Sequence, residues 1–186
     1  LLDELEREAN ALADDRPAYE AAWLAFGSLG ETAARLGRKE LQASVERRVI
    51  KALRTSSASD RLLMLRVAGN AACAPCASHF ISSLKDNSAE IRRAGTSGLR
   101  FITTGAAVAR MCERLEDDND LTVRDLAAWS LQWRKNDDEA RATCLVKAAM
   151  NDPTKSVRIQ ATQSLGLLAH ESNLSRAALI HLTGPE

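Results

Sequence analysis

A chain of 186 residues with 25 basic and 25 acidic side chains has no net charge, which argues against a protein whose main task is gripping a polyanion. At 45% hydrophobic residues it has enough apolar content to bury a core. The mere 4% of aromatics beside abundant Ala and Leu favours helices over sheets. No apolar run approaches the roughly 18–20 residues that span a bilayer; the longest, "AAWLAFGSLG" over residues 21–30, is far too short.

The chain starts "LLDELEREAN", without an initiator Met or a basic-then-apolar leader, so it reads as a fragment or processed form of a longer chain. Amphipathic segments follow. "PAYEAAWLAFGSLG" (17–30) comes first, then "RKELQASVERRVIKALR" (38–54), with Leu41, Val45, Val49 and Leu53 spaced by four, then "SDRLLMLRVAGNA" (59–71). From there a unit recurs: "APCASHFISSLKD" before "DNSAEIRRAGTSGLRFI", "GAAVARMCERLED" before "DNDLTVRDLAAWSLQWR", "DDEARATCLVKAAMND" before "DPTKSVRIQATQSLGLL". A last segment, "SNLSRAALIHL", reads as the first helix of a further unit.

The three long copies align residue for residue. Asp86, Asp118 and Asp152 each stand five residues before Ile91, Val123 and Val157; Arg92, Arg124 and Arg158 follow at once; Leu99, Leu131 and Leu165 come eight residues after the Ile or Val. Small residues hold the fifth slot (Gly95, Ala127, Ala161) and the eighth (Gly98, Ser130, Ser164). At 3.6 residues per turn the apolar and small slots share one face, so each unit is a helical hairpin that hides its stripe against the next. The leading Asp suits a turn that opens a helix. The Arg either reaches the Asp of an adjacent unit, as a ladder, or lies solvated on the helix flank.

On these residues the chain resembles HEAT-repeat (armadillo-like) proteins over nearly its whole length. The resemblance implies an all-α, right-handed α–α superhelix of about five hairpins, one continuous domain over 1–186. "AAWLAFGSLG", "LRVAGNA" and "IRRAGTSGLRFI" are in addition similar to the helical domain of vitellogenin and microsomal triglyceride transfer protein. That implies lipid carriage only within a larger parent chain bearing sheets, which this sequence lacks.

Candidate sites are few. Cys73, Cys76 and His79 form C-x-x-C-x-x-H; Pro75 suits a first helical turn and places Cys76 where the helix dipole favours a thiolate. The pair is read as inert core thiols, as a disulfide or redox pair, or as metal ligands that lack a fourth partner. Cys112 and Cys144, in the first helices of consecutive units, are expected as reduced, buried thiols. Trp23 and Trp133 are expected in packing. Trp129 shares its slot with Arg66, Ser97 and Gln163, a slot expected to face solvent on the inner wall. With Arg66, Arg93, Arg100 and Gln132 in neighbouring outward slots it makes a basic groove around one Trp, a candidate hot spot for a partner. The basic run Arg47, Arg48, Lys51 and Arg54 reads as a solvated face, with contact to an anionic partner as the alternative. There is no phosphate loop, H-E-x-x-H or G-x-S-x-G, and His79, His170 and His181 are scattered.

The sequence therefore predicts a non-enzymatic protein-interaction scaffold without cofactor or metal, soluble, with the cytoplasm favoured. The helical domain of a lipid transfer protein and a DNA-binding HEAT-like protein are the alternatives.

Overall fold

A computed structural model of the chain describes residues 1–133, 138–169 and 173–183; His170 lies outside them. The described residues form eleven α-helices: α1 (Leu2–Ala11), α2 (Arg16–Arg35), α3 (Lys39–Thr55), α4 (Arg61–Asn70), α5 (Ala77–Ser83), α6 (Ala89–Leu99), α7 (Gly105–Asp117), α8 (Leu121–Leu131), α9 (Asp138–Asn151), α10 (Lys155–Leu168) and α11 (Asn173–Thr183). A 3₁₀ turn, Ala74–Cys76, with Pro75 at its start, leads into α5. None of these helices is long and apolar enough to cross a membrane.

Local chemistry sets several of the boundaries. Asp15 accepts from the Ala18 N–H at 3.2 Å to open α2, and Asp120 accepts from Thr122 and Val123 N–H at 2.8 and 3.2 Å to open α8. The end of α2 is a Schellman motif: Gly37, at φ +67°, donates to Ala34 O at 3.1 Å, and Arg38 to Ala33 O at 2.8 Å. The end of α4 closes in the same way, with Cys73 N–H on Ala68 O at 3.2 Å. Here the left-handed residue is Ala72, at φ +49°, an L side chain where glycine is usual.

The helices stack in two layers. α2, α4, α6, α8 and α10 pack one against the next, and the odd-numbered helices cover them from one side, with α11 seated on α9 and α10. Five hairpins and one additional helix result. A continuous set of buried apolar side chains runs from Ala9 to Leu168, including Trp23, Phe26, Val45, Val49, Phe80, Met111 and Leu145. Each fully buried large side chain contributes about 1.5–3 kcal/mol. Small residues allow close approach: a Cβ on Gly27 would lie 2.6 Å from Val67 O on α4, and one on Gly98 would enter the Phe80 ring.

Polar rungs join successive hairpins along one edge. Arg92 grips Asp118 with Nε on Oδ2 at 2.9 Å and Nη2 on Oδ1 at 2.8 Å. Arg124 grips Asp152 likewise, at 2.9 and 3.3 Å. Arg61 donates to Asp86 at 3.0 Å, and Arg16 to Asp60. Each Asp is held in place by its own turn: Asp86 Oδ1 accepts from Ser88 N–H, Asp118 Oδ1 from Asp120 N–H and Asp152 Oδ1 from Thr154 N–H, at 2.9, 3.0 and 2.8 Å. Arg158 donates to the Asp152 and Pro153 carbonyls at 2.8 and 3.2 Å. Arg48 of the basic run is not simply solvated, since it pairs with Asp3 and with Glu6 on α1, the latter at 3.2 Å.

The cysteines correct one expectation. Cys112 on α7 and Cys144 on α9 are not reduced thiols but a disulfide, with Cα atoms 5.7 Å apart. Axes about 8–10 Å apart, with Cα atoms on cylinders of about 2.3 Å radius, bring directly facing Cα atoms to about 3.4–5.4 Å, a range that overlaps the roughly 4.4–6.8 Å of disulfides. Cys73 and Cys76 form the second disulfide, with Cα atoms 5.3 Å apart and both residues wholly buried.

Candidate interaction face

The surface of the even-numbered layer away from the odd helices is built by side chains that recur at matching positions. On α4 these are Leu62, Arg66 and Asn70. On α6 and its following turn they are Arg93, Ser97, Arg100 and Phe101; on α8 and its following turn, Asp125, Trp129, Gln132 and Trp133; on α10, Ile159, Gln163, Gly166 and Leu167. Spacings of three and four residues put each set on one helix face. The face changes in character along the array, from cationic on α4 and α6 through aromatic on α8 to aliphatic on α10.

Its centre is a set of mutual contacts. The Trp129 and Trp133 rings meet edge to face, with centroids 5.6 Å apart at 63°. The Gln132 amide, its oxygen turned towards the indoles, accepts from both Nε1–H groups at 2.9 Å and fixes the pair. The Arg100 guanidinium stands 4.4 Å from the centroid of Phe101 and 5.7 Å from that of Trp129. It is steadied by Nη1 donating to Ser97 O at 3.1 Å and to Ser97 Oγ. Burial pulls Arg100 below its ordinary pKa, opposed by the charge of Glu31 on α2. The result is a stacked and partly desolvated cation that an incoming group meets without first having to order it.

Two tryptophans take places other than those the sequence suggests. Trp133, expected in packing, is 58% exposed, and Leu167 at the same repeat position is 62% exposed. The helical part of α8 ends at Leu131, so Trp133 lies in the turn beyond and swings out over Trp129. Trp129, expected to face solvent, is half-buried beneath Trp133 and Arg100. Trp23 is buried against Phe26.

Arg66 and Arg93 are exposed and have no ion pair among the described residues. Asp125 is half-buried, and burial pushes its carboxyl up. The Cys73–Cys76 disulfide lies in the buried turn between α4 and α5 and has no part in this face. The Trp133–Gln132 clasp is what the sequence reading misses. Its only signal is the Q-W pair that follows the last Leu of the repeat.

These features define an armadillo/HEAT-like helical repeat fold. Among solved structures the chain is similar to an engineered protein (TM-score 0.64, 15% identity, covering 97% of this chain and 85% of that one). It is also similar to a designed armadillo repeat protein (TM-score 0.63, 15% identity, 98% of this chain and 88% of that one). At that identity the likeness is one of fold. No protein-family model matches the chain, and no curated protein matches it by sequence, so the similarity to the helical domain of vitellogenin finds no support there.

Proposed function

We propose that this chain is a non-enzymatic interaction module that binds a protein segment along the face of its even-numbered helices. The observation that carries the reading is Trp133, more than half exposed, yet fixed by Trp129 and by the Gln132 amide beside the stacked Arg100. Exposed aromatics held rigid lose little entropy on binding and, with Arg, dominate interface energetics. The gradient along the face fits a partner that presents carboxylates towards Arg66 and Arg93 and an apolar side chain between Trp133 and Leu167.

A photo-crosslinking residue placed at Gln163, exposed on α10 within the face, tests this. Adducts are expected in wild type and should be lost in Trp133→Ala/Arg100→Ala with helicity unchanged by circular dichroism. Adducts that persist in the double variant overturn the assignment.

A further inference from the structure

One buried donor has no partner. The Trp23 indole lies in the core, 3% exposed, and its Nε1–H meets no acceptor among the described residues. Buried polar groups are rarely left unpaired, and each one that is calls for a reason. Trp23 lines a cleft of about 420 Å³ between α2, α3 and the C-terminal half of α1, closed at one end by the turn into α4. That volume falls in the range of small-molecule sites.

The carboxylates around the cleft are engaged, Glu6 with Arg48 and Asp60 with Arg16, whereas its donors are not. The Tyr19 hydroxyl stands beside the indole, near enough for the N–H to favour its ionised form, yet the indole nitrogen completes no hydrogen bond. Burial and the charge of Asp60 outweigh that influence and hold the phenol above its ordinary value, so Tyr19 is a neutral O–H donor at neutral pH. Lys51 on α3 is exposed at the rim and has no ion pair among the described residues. Met64, buried on α4, supplies an apolar wall.

We infer that this cleft binds a small monocarboxylate. Its oxygens are shared between the Trp23 N–H and the Tyr19 O–H, the Lys51 ammonium supplies the opposite charge, and the apolar body rests on Met64. A phosphate dianion is disfavoured, since Glu6 and Asp60 line the same cleft and repel a second negative charge. The cleft lies among α1–α3 and not on the Trp129–Trp133 face, so it stands or falls apart from the proposed function.

Nuclear magnetic resonance of the nitrogen-labelled full chain tests it through the indole N–H signal of Trp23, assigned by elimination with Trp129→Phe and Trp133→Phe. Butyrate should move that signal saturably at about millimolar concentration, the range open to so small a ligand. Butyramide and inorganic phosphate should leave it in place. Lys51→Gln, at an exposed helical position, should weaken butyrate binding by about fivefold or more, and Tyr19→Phe by about threefold or more. A Trp23 signal that butyrate does not move, that butyramide or phosphate moves equally, or that responds as readily in Lys51→Gln overturns the inference. Should Tyr19→Phe lose helicity, the exposed Lys51→Gln variant decides alone.

Discussion

Arg92 and Asp118 meet across the joint between two hairpins through two parallel hydrogen bonds, with side chains 10% and 1% exposed. Removing one partner of so buried a pair strands the other charge, at a cost of about 3–5 kcal/mol. Arg92→Ala is therefore expected to lower the urea midpoint far more than Arg110→Ala, whose pair with Glu113 is exposed and contributes about 0–1 kcal/mol. Equal shifts for the two would show that the joint does not depend on this rung.

The same pair makes stability depend on acid. Burial pushes the Asp118 carboxyl up, but the Arg92 hydrogen bonds, the Asp120 N–H and the charges of Arg92 and Arg114 outweigh it and hold the group below its ordinary 3.8. A carboxyl depressed in the folded state stabilises fully above its unfolded value. It loses that contribution as pH falls past about 4 and through the lower native value. Denaturation curves from pH 7 downwards should fall more steeply for wild type than for Asp118→Asn below about pH 4. Parallel curves would remove Asp118 from the acid limb.

The two disulfides differ in access. Cys112 and Cys144 are half-buried and line a groove between α7 and α9 beside the Glu116–Lys147 pair, whereas Cys73 and Cys76 are wholly buried. A graded thiol reductant followed by alkylation and mass spectrometry should label Cys112 and Cys144 first, with the native fold intact. Labelling of all four together, only on unfolding, is the contrary result. Loss of the α7–α9 link should cost about 3–4 kcal/mol, the entropy of a loop of this length.

Backbone positions give a pair of opposite effects. Ala72 sits in the left-handed region that closes α4, and Ala72→Gly should stabilise by about 0.5–1 kcal/mol as the relief of strain exceeds the added chain entropy. A Cβ on Gly98 would run into Phe80, so Gly98→Ala should destabilise by about 1–3 kcal/mol. Thermal melts of both variants check the signs.

The repeat was readable because its register is written in residues that stacking demands: an Asp to shape each turn, an apolar anchor, small residues where α6 meets α5, and Leu99, Leu131 and Leu165 in the core. Trp133 was misplaced because its whole slot faces outward: Leu167, at the same repeat position but inside α10, is exposed as well. The Cys112–Cys144 link was not readable because sequence spacing does not say which side chains of neighbouring helices face each other. The Arg100 stack and the Gln132 clasp depend on rotamers in a turn, which periodicity does not encode.

The link between Cys112 and Cys144 has a mechanical corollary. Pulled from its two termini, an oxidised chain cannot pay out the stretch between those residues. At about 3.4 Å per extended residue, its fully drawn length is shorter than that of the reduced chain by about 100 Å. Tension can then draw out only the portions on either side of this loop, so the redox state of one bond sets how far the array extends.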